Sequence, residues 1–224
     1  MIFLMLLMLF QPLSTEAQEQ VKTDDALLCL NATIAAEEKY QIQPNLLTTI
    51  SSVETGRWNE RLEQRLPWPW TVNIKGKGHY YKSKAEAVAA VKKWRKRGVT
   101  SVDVGCMQIN MRFHGKEFAS IEDAFDPQKN TEFAAKFLKK RYELRKNWMQ
   151  AATDYHSRKA KKARAYKRKL LSEKTITEKA RTRFAAQYVT YASNFMVTKD
   201  NRGWFAKLFT KERVMPSLKI SLKD

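Results

Sequence analysis

Residues 51–58 read Ser-Ser-Val-Glu-Thr-Gly-Arg-Trp, and they place one carboxylate, Glu54, at the close of an apolar helical run. Upstream, Leu46, Leu47, Ile50 and Val53 recur at helical spacing. This predicts a helix with one buried face that opens at Pro44, where a missing N–H costs little, and ends as the chain turns at Gly56. A carboxyl group half-packed against apolar side chains is harder to ionise, so it can hold a proton near neutral pH and donate it to a leaving oxygen. Taken alone, a glutamate near a helix end is more often a solvated charge or one half of an ion pair. A second stretch, Asp103–Asn110, changes that weighting; it reads Asp-Val-Gly-Cys-Met-Gln-Ile-Asn.

Outward from Glu54 the pattern is mostly helical. Asp24 to Tyr40 reads as a first helix, capped by Asp24 or Asp25, with Ala26, Leu27, Leu30 and Ile34 on its apolar face. Between Trp58 and Lys82 the helical period disappears. Pro67-Trp68-Pro69-Trp70 cannot continue a helix, and Thr71–Ile74, the turn KGKG and His79–Lys82 predict a small hairpin. Trp68, Trp70, Tyr80 and Tyr81 on this insert either pack on the domain or offer flat faces to a ligand. Ser83 and Glu86 have capping-box spacing for a helix that Gly98 stops, and Val99–Val104 is a short extended segment. Asp126-Pro127 starts a helix over 128–145 with Phe133, Phe137 and Leu138 inside, and Asn147 caps another that reaches Tyr155.

At 224 residues the chain has room for one core of ordinary size with an appendage. The net charge of +19 is unevenly spread: from His156 to Asp224 there are 19 Lys and Arg against 5 Asp and Glu. Such an excess calls for an anionic partner. The unbroken apolar run Ile2–Phe10, then Pro12 and the small-x-small site Thr15-Glu16-Ala17, predict a secretory signal over residues 1–17. The run is too short to span a bilayer, and export argues against nucleic acid as the partner. Two cysteines, Cys29 and Cys106, are an even count that in an exported protein suggests one disulfide; two buried thiols are the other reading. In the basic tail, Phe184, Tyr188, Tyr191 and Phe195 at helical spacing suggest that it docks at least in part.

Four pieces in this order resemble one family: Glu54-Thr55 at a helix end, then Gly105 to Asn110, then Ala124-Phe125-Asp126-Pro127 with Asn130, then Ala151-Ala152 and Tyr155. They look like the lytic transglycosylases of the soluble, goose-lysozyme-like type, over roughly residues 26–157. WPWTVN and DVGCMQIN also resemble a periplasmic branch of that family from Gram-negative bacteria. The resemblance implies a mostly α, lysozyme-like α+β domain over 18–157, with a basic, partly helical C-terminal extension over 158–224. It implies cleavage of the β-1,4 bond between N-acetylmuramic acid and N-acetylglucosamine, with no cofactor and no metal, in the periplasm. Glu54 stands in the place of the catalytic acid and base. Gly105, Met107, Gln108 and Asn110 would line the cleft opposite it, and Tyr155 matches a tyrosine that supports the catalytic carboxyl. His156 stands where Asn is usual, and Thr55 where Ser is usual. Asp103 is the nearest second carboxylate, with a cap before Gly105 as its simpler role. Besides the glycan, the tail could meet an anionic wall polymer, a membrane face, or a secretion or flagellar assembly. A hydrolytic lysozyme, a non-catalytic wall-binding protein and a thiol hydrolase using Cys106 with His114 or His156 are the competing expectations.

Overall fold

Where the helix carrying Glu54 sits decides the rest of the architecture. The computed structural model describes residues 25–60 and 62–194, with backbone only for Ala26 and for residues 184–194. The expected signal over residues 1–17 and Phe195 lie outside the described residues, as do the side chains of Phe184, Tyr188 and Tyr191.

Helix α1 (Asp25–Lys39) leads through a short turn into α2 (Leu46–Thr55). One buried face was expected of α2, but the helix is buried nearly all round. Leu46, Leu47 and Ile50 are joined by Thr48, Thr49, Ser51, Ser52 and Thr55, while Val53 is only half-buried. A helix whose polar side is also buried must find a partner for each hydroxyl. Thr49 and Thr55 donate back to the carbonyls of Asn45 and Ser51, at 2.6 and 2.9 Å. Ser51 donates to the Cys106 carbonyl at 2.8 Å, and Ser52 to the Glu173 carboxylate.

The start of α2 also differs from expectation. The helix begins at Leu46 behind Asn45, whose φ is 68°, so Pro44 lies in the preceding turn. Asn45 makes no side-chain cap bond. The cap comes from α1 instead: Glu37 accepts the backbone N–H of Asn45 at 2.8 Å and of Thr48 at 3.0 Å. A carboxylate there satisfies orphan donors and meets the positive end of the helix dipole.

At its other end α2 turns directly into β1 (Gly56–Asn59), which pairs antiparallel with β2 (Gln64–Pro67), a ladder that the sequence pattern did not predict. A Cβ on Gly56 would lie 2.4 Å from the Ser52 carbonyl oxygen and 2.5 Å from Arg65 Nε, so a side chain here would force strand and helix apart. The expected hairpin is β3 (Thr71–Ile74) with β4 (Lys77–Tyr80). β5 (Val102–Val104) and β6 (Ile109–Asn110) extend it into a sheet of order β4-β3-β5-β6. Its buried face, Val72, Ile74, Val102 and Val104, packs with Val88 and Val91 of α3 (Lys84–Lys96) and with Phe125. The insert aromatics mostly pack: Trp70 is buried and donates to Asp25 at 2.8 Å, and Trp68 donates to the Tyr81 carbonyl at 2.7 Å.

The chain continues through short helices α4 (Met111–His114) and α5 (Ile121–Ala124) into α6 (Pro127–Arg145) and α7 (Trp148–His156). Asp126 and Asn147 cap the last two as expected, accepting from Lys129 and Gln150 at 2.9 Å each. The long α8 (Ala160–Asn194) then returns across α2. Its buried positions are Tyr166, Leu170, Glu173, Thr177 and Ala180, alternately four and three residues apart, which keeps one stripe turned inward. Arg181 follows and forms an ion pair with the buried Glu37. The segment from residue 158 onward therefore contributes to the core as far as Arg181. Among the described residues no helix is long and apolar enough to cross a membrane.

Cys29 of α1 and Cys106 are joined in a disulfide across a sequence separation of 77. No thiol is left for a thiol hydrolase on Cys106, which removes that expectation. Closing a loop of this length is worth about 4 kcal/mol through the unfolded chain. Replacing both cysteines by alanine should lower the unfolding free energy by about that amount, measured by denaturant titration.

Candidate active site

Glu54 lies one residue before the end of α2, where the negative end of the helix dipole disfavours a charge on it. Its side chain is 18% exposed, and Tyr166 of α8 donates a hydrogen bond to its Oε1 at 2.7 Å. Burial pushes the Glu54 pKa up to about 7; the Tyr166 hydrogen bond and Lys169 pull it down, and the charge on Asp103 adds to the rise. The carboxyl group is thus held where it can both give and take a proton near neutral pH. Tyr166 is buried, and its own pKa is pushed well above the ordinary value, so it stays a donor.

His156 completes this cluster in a way that its sequence position did not announce. Its ring stacks flat on Tyr166, with centroids 4.3 Å apart and planes 3° apart, and its Nδ1 is 3.9 Å from Glu54 Oε1. Burial lowers the His156 pKa, and Lys169 and Lys162 lower it further. The imidazole is therefore neutral at neutral pH and makes no ion pair with Glu54 there.

Below Glu54 the chain turns sharply between β5 and β6. Gly105 has φ 76°, and a Cβ on it would sit 2.5 Å from Asn130 Nδ2, so both backbone and space require glycine. Asn130 of α6 is fully buried and clamps the turn. It donates to the carbonyls of Val104 and Ala124 at 3.0 and 2.8 Å and accepts from Met107 N at 2.8 Å. Gln108, in the left-handed region at φ 49°, spends its amide nitrogen on the carbonyls of Thr71 and Gly105, both at 3.2 Å. Thr55 reaches the Cys106 carbonyl at 3.3 Å alongside Ser51, which ties the turn to the helix of Glu54.

Three expectations are corrected here. Tyr155 does not support the Glu54 carboxyl: its hydroxyl donates to the Met107 carbonyl at 2.7 Å, and Tyr166 holds Glu54 instead. Met107 and Gly105 are buried, with the Met107 side chain in the core, so they shape the turn and offer no cleft surface. Asp103 is no cap: it is a half-buried residue of β5 that accepts from Asn110 at 2.6 Å, and burial raises its pKa. Asn110 is half-buried; it also donates to Ser101 at 3.0 Å and caps α4 by accepting from Arg112 N at 3.1 Å. The site thus gathers Glu54, Asp103, Gln108 and Asn110, all half-buried, with Tyr155 as support. Tyr166 went unread because it lies inside a run of lysines and arginines.

Helical packing around a small sheet, with a protonatable glutamate where helix meets sheet, defines a mostly α, lysozyme-like protein. The family model described as "Transglycosylase SLT domain" matches residues 31–176, and the chain belongs to that family of lysozyme-like lytic transglycosylases acting on peptidoglycan. The match runs beyond residue 157 into α8 and includes Tyr166. No curated protein and no solved structure matches the chain.

Two measurements follow from the geometry at Glu54. The folded chain keeps on Glu54 a proton that the unfolded chain releases between the ordinary 4.5 and about 7, so stability falls as pH rises through that window. Glu54→Gln should therefore stabilise the protein above pH 7 by up to about 3 kcal/mol, and give no gain below the unfolded pKa, in urea titrations at the two pH values. Tyr166→Phe removes a donor to the carboxylate, so carbon-13 NMR of the Glu54 carboxyl should show its titration moving above the wild-type midpoint of about 7.

Proposed function

We propose that the protein cleaves the β-1,4 bond between N-acetylmuramic acid and N-acetylglucosamine with formation of 1,6-anhydromuramyl ends. The observation that carries this reading is the Glu54 carboxyl, half-protonated near pH 7 and oriented by Tyr166. As acid, Glu54 protonates the glycosidic oxygen while positive charge grows at C1. As base, the resulting carboxylate removes the proton from the C6 hydroxyl, whose oxygen closes on C1. Water is not consumed, and one group serves both steps because its pKa lies near the working pH. The substrate's own N-acetyl group supports C1, so a second carboxylate is dispensable. The Tyr166 hydrogen bond and the nearby Lys169 steady the carboxylate between the two steps. With its amide nitrogen spent, Gln108 offers an acceptor oxygen to a sugar hydroxyl.

One observation favours hydrolysis as the second reading. Asp103 is close enough for its charge to raise the Glu54 pKa, and a second carboxylate in that position would suit activation of a water. The same reading places the protein in the periplasm after removal of residues 1–17, with the basic face of the C-terminal segment holding it near anionic wall polymer, a membrane face or an assembly that needs a gap in the wall.

Mass spectrometry of the products released from purified peptidoglycan tests the proposal. Anhydromuramyl products from the wild type, falling about a thousandfold in rate with Glu54→Gln, are expected. Reducing-end products would establish the hydrolytic reading, and equal release by both proteins would remove Glu54 from the chemistry.

A further inference from the structure

Beyond the Glu54 cluster, a pocket of about 480 Å³ opens at one end of the four-stranded sheet. Its lining includes Asn73, Lys75, Arg97, Ser101, Asp103 and Arg112. Three separate elements bring a cationic residue to its lining: Lys75 stands in the turn between β3 and β4, Arg97 follows α3, and Arg112 lies in α4. Among the described residues none of the three has an acidic partner. Arg97 and Arg112 lie over the rings of Trp94 and Phe113, at 5.6 and 5.8 Å, which leaves their donors free. The one acid in the lining, Asp103, already accepts from Asn110. Like charges gathered around a concavity repel one another unless an anion enters, and arginine forks match a carboxylate in two-point geometry.

The sheet joins this pocket to the reacting centre. Gly78, Asn73, Asp103 and Asn110 face one another in register across β4, β3, β5 and β6. The neighbouring positions Val72, Val102, Val104 and Ile109 point into the core, so this polar row lies on the opposite face. Asn73 and Asp103 of this row line the pocket themselves, and the charge on Asp103 is felt at Glu54. A ligand occupying the pocket would therefore belong to the strand being cleaved.

N-acetylated sugars carry no charge, whereas the peptide stems on the muramyl residues carry side-chain and terminal carboxylates. We infer that the pocket formed by Lys75, Arg97 and Arg112 binds carboxylates of the substrate's peptide stem, and so selects strands that still bear peptides. This inference rests on the peptidoglycan reading and names a specificity site within it.

The test measures binding, so that it does not depend on turnover. Full-length protein carrying Glu54→Gln is titrated calorimetrically with soluble glycan fragments bearing peptide stems, and with the same fragments after an amidase has removed the stems. Peptide-bearing fragments should bind about tenfold more tightly, as expected for a few partly exposed charge contacts, and the advantage should shrink between about 50 and about 300 mM salt. Adding Lys75→Gln, Arg97→Gln and Arg112→Gln together should abolish the preference. An equal charge change at exposed positions in and just after α6, Lys136→Gln with Lys140→Gln and Lys146→Gln, should retain it. Should the triple variant fail to give the parent circular dichroism spectrum, Arg97→Gln alone, at an exposed position, should reduce the preference two- to threefold. Equal affinity for both fragments, or equal loss in the α6 control, overturns the inference. Preference without any product release from the wild type would sink the catalytic reading alone, and release without preference would sink this one alone.

Discussion

Three helices meet at one carboxylate. Glu37 of α1 is buried; it caps the start of α2 through the N–H groups of Asn45 and Thr48, and it receives the guanidinium of Arg181 from α8. Burial pushes this carboxyl up, while Arg181 and the two backbone donors pull it down. Taking away one partner of such a pair strands a charge in the core at a cost of about 3 to 5 kcal/mol. The contact therefore orders α1, α2 and α8 relative to one another. Tyr166 lies on the same stripe of α8 as the residues beside Arg181, so its approach to Glu54 depends on this distant tie.

A single ten-residue helix thus has a glutamate at each end, Glu37 buried and Glu54 half-buried. Burial raises both carboxyls; at the N-terminus of α2 the dipole, Arg181 and the backbone donors work against that rise at Glu37, whereas at the C-terminus the dipole adds to it at Glu54. The contrast explains why the same side chain serves as a structural cap in one place and as a reservoir for a proton in the other. It also explains the local cost: a carboxyl kept from ionising at neutral pH is a destabilised group, held in place by the Tyr166 bond, the Asn130 clamp beneath it and the bridge from Cys29 to Cys106.

Much of this was legible in the chain because it followed simple periodic or capping rules. The helices that start at Ser83, Asp126 and Asn147, the hairpin around Lys75-Gly76 and the turn at Gly56 all announced themselves. Most of what was missed on the helices shares one cause, the use of polar residues in buried places. The stripe on α8 includes Glu173 and Thr177, so an apolar count sees only a basic tail, and the hydroxyl face of α2 looks solvated until Glu37 and Glu173 are placed beside it. Tyr155 is half-buried and Tyr166 buried near Glu54, and only the return of α8 decides which of them reaches the carboxyl. The pairing of β1 with β2 was hidden because four-residue strands with mixed burial carry no clear alternation.

The long reach of these contacts bears on how the molecule comes into being. Glu54 and Tyr166 are 112 residues apart in sequence, and Glu37 and Arg181 are 144 apart. Contacts of such separation form late, because a large loop must close before they contribute anything. As the chain emerges from its N-terminus, the acid is laid down early and its holder arrives last. A chain that ends before Tyr166 thus carries the glutamate without the hydroxyl that bonds it, and that pairing can form only once α8 is present. The carboxyl and its partner are thereby tied to a chain made through α8, a dependence written into topology.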